Sequence, residues 1–138
     1  MTKEDRELRL KDLCARLPYG VKGKLRDSNY TAILKDVRYS CFYPLLVRPL
    51  ECPLTHNECS LDIDEFKPYL RSTSSMTEEE WEEFRMLGGV TGYGTEQNTW
   101  AISAFSPEAL DWLNKKMFDY RGLIPMGLAL EAPEGMYK

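Results

Sequence analysis

The sequence has a single histidine, His56, among its 138 residues. Any Ser-His-Asp or Cys-His arrangement would have to use that imidazole, and no strained nucleophile turn accompanies it. The glycine-rich run at 88–94 follows a predicted helix and precedes a predicted strand, whereas a phosphate-binding loop connects a strand to a helix N-terminus. Neighbouring carboxylates such as Asp62 and Asp64 are more typical of a strand end than of acid–base catalysis. We predict no catalytic residue, and the sequence favours a protein that is not an enzyme.

Long apolar runs are also missing. The longest uncharged one, at 43–47, is far shorter than the roughly 20 residues that cross a bilayer. The first residues are charged and lack the apolar core of a secretory signal. We therefore expect a cytoplasmic protein without membrane contact, in which disulfides between the four cysteines are disfavoured.

The overall composition is that of a folded protein, with 43% hydrophobic, 29% charged and 12% aromatic residues. The net charge of −4 is distributed unevenly. Residues 1–71 hold 13 Lys and Arg against 11 Asp and Glu, whereas 72–138 hold 5 against 11. We therefore expect a first half that is slightly basic and a second half that is acidic.

The first half predicts one helix followed by short strands. Apolar residues at Leu10, Leu13, Cys14 and Leu17 follow helical spacing, and Pro18 ends the helix. From residue 20 to about 63, apolar and polar residues alternate between turn signals. This pattern predicts a small antiparallel curled sheet or a half-open barrel, preceded by a helix.

The second half predicts a helix, a hairpin and a second helix. Thr77 and Glu80 form a capping box after a polar linker, and Ser106 with Pro107 is typical of another helix start. Strand patterns fill the space between the two helices, and the apolar C-terminal tail is expected to pack back. The predicted class is α+β, with a lobe at 1–71 and a lobe at 72–138 that share one compact domain or form two.

Five segments of the second half form a distinctive set: Lys67-Pro68-Tyr69-Leu70-Arg71, Ser74-Ser75-Met76-Thr77-Glu78-Glu79-Glu80, Asp111-Trp112-Leu113-Asn114, Phe118-Asp119-Tyr120-Arg121-Gly122-Leu123-Ile124 and Gly127-Leu128-Ala129-Leu130-Glu131-Ala132. These segments resemble a group of uncharacterised proteins from prophages and mobile elements of Bacteroidales-type gut bacteria. The resemblance covers about 67–138 and implies a phage or mobile-element origin, but no activity, ligand or catalytic residue. In that group one or two histidines often precede the Phe-Asp-Tyr-Arg-Gly run, where this chain has Lys115, Lys116 and Met117.

Cations interleaved with aromatic residues in the predicted sheet suggest a binding surface. Faces of this kind on small sheets stack single-stranded bases or grip a peptide. The alternative is that the cations are solvated outward positions and that the rings belong to the core. The candidate residues are Lys22, Lys24, Arg26, Lys35, Arg38, Tyr30 and Tyr39.

A possible zinc site is the second candidate. Cys52, His56 and Cys59 have the spacing C-x3-H-x2-C, and Cys41 would complete a Cys3His set, although the usual C-x2-C knuckle is missing. Zinc is the one cofactor that the sequence suggests. Two functional hypotheses follow: a non-catalytic binding or accessory module that contacts a protein or a nucleic acid, and a small zinc-binding protein or enzyme. The sequence identifies neither the partner nor an oligomeric state.

Overall fold

The computed structural model describes residues 1–26, 28, 30–38, 42–50, 58–94 and 99–137. Within them the helices are α1 (Lys3–Arg16), α2 (Glu78–Met86) and α3 (Pro107–Lys115). The strands are β1 (Lys22–Leu25), β2 (Thr31–Val37), β3 (Leu45–Pro49), β4 (Cys59–Leu61), β5 (Phe66–Leu70), β6 (Val90–Gly94), β7 (Thr99–Ala104) and β8 (Leu130–Glu131). The predicted α+β class is confirmed. No helix in these ranges is long and apolar enough to cross a membrane.

Six strands form one sheet in the order β4-β3-β2-β1-β5-β8. Neighbours from β4 to β5 are antiparallel, whereas β8 lies parallel to β5 through Tyr69–Leu130 and Leu70–Glu131. The sheet is not a closed barrel, because β4 and β8 stand at opposite ends of the strand order. β6 and β7 form a separate antiparallel hairpin, where the sequence predicts one.

One face of the sheet, the core face, packs against α1 and against residues 117–129. Burial of each large apolar side chain contributes about 1.5–3 kcal/mol. Gly23 of β1 leaves room for the Phe66 ring of the neighbouring strand β5, because a Cβ at residue 23 would lie 2.5 Å from Phe66 Cζ. Residues from both sides of position 72 share this core, and the predicted lobe boundary stays a prediction. The buried members are Leu13, Val21, Ala32, Leu34, Leu45, Val47, Phe66, Leu70, Met117, Leu123, Leu128 and Ala129.

A second hydrophobic cluster joins α2 to α3. Its aromatic rings form a chain from Trp81 through Phe84 and Trp112 to Phe118, with successive centroids 6.2, 6.0 and 5.6 Å apart. The predicted capping box is present, since Thr77 Oγ1 accepts from Glu80 N at 3.2 Å and Glu80 Oε1 accepts from Thr77 N at 3.1 Å. α2 therefore begins where the sequence predicts it.

The inward side of α1 differs from the predicted apolar stripe. Of that stripe only Leu13 is fully buried, whereas Arg9, Asp12 and Arg16 are buried with it. Arg9 Nε donates to the Leu128 carbonyl at 3.0 Å and Arg9 Nη1 to the Ile63 carbonyl at 2.9 Å. Burial lowers the pKa of Arg9. Most of the buried charged groups have hydrogen-bond partners, which lowers the cost of burying them, although Arg16 Nη1 has none among the described residues.

The sequence of residues 64–67, just before Pro68, is typical of a single helical turn, but the structure has two other elements there. A 3-10 turn occupies Ile63–Glu65, and β5 begins at Phe66. Pro68 lies within β5 opposite Gly23, although proline usually excludes a strand interior because it lacks an amide hydrogen. Lys67 is therefore a residue of strand β5 and not of a helical turn.

Candidate functional site

The face of the sheet opposite the core is polar and positively charged. Side chains alternate along a strand, so the residues between the buried positions of β1, β2, β3 and β5 project from this polar face. Cross-strand partners share a face, and the register includes the pairs Lys22–Ile33 and Ile33–Arg48. This surface, which we call the basic face, comprises Lys22, Lys24, Thr31, Ile33, Leu46, Arg48, Lys67 and Tyr69.

Three cations of the basic face have no partner among the described residues. Lys24 on β1 lies directly opposite Lys67 on β5, and Arg48 is exposed on β3. Like charges opposite each other across two strands repel and destabilise the pair. An anion bound between Lys24 and Lys67 would relieve that repulsion.

Apolar side chains lie among these cations. Ile33, Leu46 and Tyr69 are half-buried, and none of them belongs to either hydrophobic cluster. Carboxylates lie at the edges of this face: Asp36 is opposite Leu46, with its Oδ2 3.6 Å from Arg38 Nε, and Glu65 lies beside Lys24 and Lys67. The basic face thus offers cations and apolar surface, with carboxylates at its edges.

Lys22 is held by the C-terminal segment at one end of the face. Its Nζ donates to the Met136 carbonyl at 3.2 Å and lies 5.7 Å from the centre of the Tyr137 ring. The Tyr137 hydroxyl accepts from Lys22 N at 2.9 Å and donates to the Tyr69 carbonyl at 2.8 Å, bridging β1 and β5. Burial raises the pKa of Tyr137. Lys22 is therefore less available to a ligand than Lys24.

The other predicted cations lie around the basic face. Lys35 is the extra residue of the β2 bulge and is exposed. Arg38 follows β2 beside Asp36, and Arg26 Nη1 lies 3.3 Å from Asp64 Oδ2 beyond the end of β1. Arg26 and Arg38 are thus partly offset by neighbouring carboxylates, whereas Lys35 adds positive charge at the bulge of β2.

Of the two predicted aromatic residues, Tyr30 does not lie beside Lys22 and Lys24. Tyr30 precedes β2, and strand alternation places it on the side of Ala32, although it is 39% exposed. Tyr39 lies outside the described residues. Sequence reasoning missed Arg48 and Lys67 as site residues. Strand alternation continued through Pro68 would have identified Lys67.

A pocket of about 210 Å³ opens next to the Lys24–Lys67 pair, and we call it the strand-end pocket. The hydrogen bond from Arg26 N to the Glu65 carbonyl at 2.8 Å joins its two sides. Its lining is Lys24, Leu25, Arg26, Asp64, Glu65 and Lys67. The pocket therefore combines cations of the basic face with carboxylates of the turn before β5.

A larger cleft of about 650 Å³ lies between the start of α2 and the segment after β8. At its wall, Arg71 donates through both Nη atoms to the Glu80 carboxylate at 2.9 Å and stacks 4.2 Å from the centre of the Phe118 ring. Lys116, Glu131 and Glu134 complete its charged lining. Because Arg71 and Glu80 already satisfy each other, the remaining charges of the lining are one lysine and two glutamates, which leaves the cleft slightly acidic.

The zinc hypothesis rests mainly on residues that lie outside the described part of the chain, namely Cys41, Cys52 and His56. Cys59 is described: it lies opposite Val47 and packs against the main core. Burial raises the pKa of Cys59, and the Glu65 charge adds to this, which disfavours the thiolate that binds zinc. Among the residues that the structure describes, no group of three His, Cys, Asp or Glu is arranged to hold a metal.

The described residues also form a third pocket of about 340 Å³, whose lining includes Asp119, Tyr120 and Glu131. The basic face differs from the cleft in its charges, because Arg71 of the cleft is paired with Glu80, whereas Lys24, Arg48 and Lys67 have no partner among the described residues. No protein-family model matches the chain, and neither a curated protein nor a solved structure is detectably similar to it.

Proposed function

We propose that this protein is a non-catalytic binding module that holds single-stranded nucleic acid on the basic face. The observation that carries the proposal is the Lys24–Lys67 pair, two like charges that lie directly opposite each other and have no partner among the described residues. A phosphate between them would turn a repulsion into two attractions. The resemblance of 67–138 to prophage and mobile-element proteins is compatible with such a role, and we propose that origin for the chain as well.

The dimensions of the basic face suit a single nucleic-acid strand rather than a duplex. Neighbouring strands lie about 4.8 Å apart, so Arg48 on β3 and Lys67 on β5 are separated by roughly 14 Å. Ile33, Leu46 and Tyr69 lie on this face and offer apolar contact to unstacked bases. A duplex hides its base faces and would use the cations alone.

The affinity should depend steeply on salt. Three phosphate contacts on a single strand give a slope of about −2 in a plot of log K against log salt concentration. Binding should therefore weaken roughly 20-fold between 50 and 200 mM salt.

Fluorescence anisotropy with a labelled single-stranded oligonucleotide of mixed sequence tests the proposal. The triple variant Lys24→Ala, Arg48→Ala, Lys67→Ala should lose most binding at 50 mM salt. The matched control Lys3→Ala, Lys11→Ala, Lys115→Ala removes the same charge from exposed helix positions and should retain most of it. Absence of binding at 50 mM salt, or equal losses in the two variants, would refute the proposal.

A further inference from the structure

The strand-end pocket has an unusual combination of charges for a surface that binds phosphates. Asp64 and Glu65 stand beside the cations Lys24 and Lys67. Asp64 Oδ2 faces Arg26 and Glu65 Oε1 accepts from Asp62 N at 3.1 Å, while the second oxygen of each carboxylate has no hydrogen bond within the described residues. Two acceptor oxygens thus remain next to the proposed phosphate contacts.

The size of the pocket limits what enters it. At about 210 Å³ it is smaller than the roughly 300–1,000 Å³ of pockets for drug-sized ligands. Leu25 gives it an apolar portion, and Lys24 with Lys67 lines its side toward the basic face. A single planar base fits this description, with its flanking phosphates on the two lysines.

Ionised carboxylates accept hydrogen bonds and cannot donate them. A base in the pocket must therefore present donors. Cytosine and adenine carry exocyclic amino groups, whereas thymine has carbonyl oxygens at its exocyclic positions and a single ring donor, N3–H, between them. We infer that the strand-end pocket takes one base of the bound strand and selects cytosine or adenine over thymine, through Asp64 and Glu65. This inference rests on the proposed function.

Anisotropy with labelled 12-residue oligo(dC), oligo(dA) and oligo(dT) at 50 mM salt tests the inference. We expect oligo(dC) and oligo(dA) to bind at least about fivefold more tightly than oligo(dT), the lower end of what a good base contact provides. The double variant Asp64→Asn, Glu65→Gln should bring this ratio close to one, because an amide both donates and accepts. All three oligonucleotides should bind this variant more tightly, since two negative charges are lost, so the ratio is the readout.

A control double variant distinguishes the effect of the pocket carboxylates on the affinity ratio from the effect of net charge. Glu78→Gln with Glu79→Gln removes two exposed carboxylates on α2 and should leave the ratio unchanged. Asp64→Asn alone serves as a second variant that leaves the Glu65 hydrogen bond to Asp62 intact, and it should lower the ratio partly.

The outcomes distinguish the two proposals. If none of the oligonucleotides binds at 50 mM salt, the proposed function fails and the inference fails with it. If all three bind with similar affinity, or if oligo(dT) binds best, the function stands and the inference is overturned. A preference that survives the double variant overturns the inference too, because the selection would then arise elsewhere on the protein.

Discussion

Arg16 and Asp12 form a two-point ion pair inside the protein, with Arg16 Nε 2.8 Å from Asp12 Oδ2 and Nη2 3.1 Å from Oδ1. Neither side chain is exposed to solvent. Arg121 Nη1 donates to the same carboxylate at 2.9 Å, and Arg16 Nη2 donates to the Phe118 carbonyl at 2.7 Å. One carboxylate therefore offsets two guanidinium groups, and it ties α1 to the chain that follows α3.

Removing that carboxylate should be strongly destabilising. Asp12→Ala leaves Arg16 buried without a counter-charge, and breaking a buried pair in this way costs about 3–5 kcal/mol. Urea denaturation of the variant and the parent measures the difference in unfolding free energy. Glu7→Ala, an exposed acid on the same helix, should change that free energy by less than about 0.5 kcal/mol. A loss below about 1 kcal/mol for Asp12→Ala would show that the buried pair contributes little.

Local signals in the sequence predicted several elements well. The capping box at Thr77 and Glu80 and the Ser106-Pro107 start depend on residues within one helical turn, so they can be read directly. The alternation along β1 also places Lys22 and Lys24 on one face. What a short stretch of chain determines by itself could thus be predicted.

Long-range partners could not be predicted in this way. The buried position of Arg16 depends on Phe118, which is 102 residues away, and that of Arg9 on Leu128, 119 residues away. Since the sequence does not reveal these acceptors, the helical spacing of the apolar residues predicts that the apolar stripe faces the core. Lys67 was missed because Pro68 argues against a strand, whereas the structure accommodates the proline opposite Gly23.

The pH dependence of stability should report on Glu80. Burial raises the pKa of this carboxyl, but hydrogen bonds from Arg71 and Thr77 outweigh that effect and hold the pKa below its ordinary 4.5. A lowered pKa in the folded state adds stability that is complete above about pH 4.5 and is lost as the pH falls through the folded value. Glu80→Gln should therefore be less stable than the parent at pH 7, and the gap should narrow from about pH 4.5 to pH 3.

Urea denaturation at pH 7, 5, 4 and 3 measures that gap. Glu79→Gln is the matched control, because Glu79 is exposed one residue earlier on the same helix. It should stay within about 0.5 kcal/mol of the parent at every pH. A gap for Glu80→Gln that is constant between pH 7 and pH 3 would contradict the role assigned to the Glu80 carboxylate.

Met117 adopts a left-handed backbone conformation, with φ at 63°, directly after α3. The Phe118 amide donates to the Leu113 carbonyl at 3.0 Å and the Met117 amide to the Asn114 carbonyl at 3.1 Å, which closes the helix end. Glycine is the usual residue in this conformation because it has no Cβ. Methionine occupies the position here with its side chain only 1% exposed in the main core.

Because the backbone at this position favours glycine whereas the core favours a large side chain, we expect the glycine variant to be more stable than the alanine variant, the reverse of the usual order. Met117→Ala loses the buried side chain, at about 2–5 kcal/mol, and keeps the backbone strain. Met117→Gly loses the same contacts but relieves about 1 kcal/mol of strain, so it should be the more stable of the two in urea denaturation. At Leu113, which is buried within α3, the order should be normal, with Leu113→Gly about 1 kcal/mol less stable than Leu113→Ala. If glycine is the less stable residue at both positions, the left-handed conformation at Met117 carries no strain that glycine relieves.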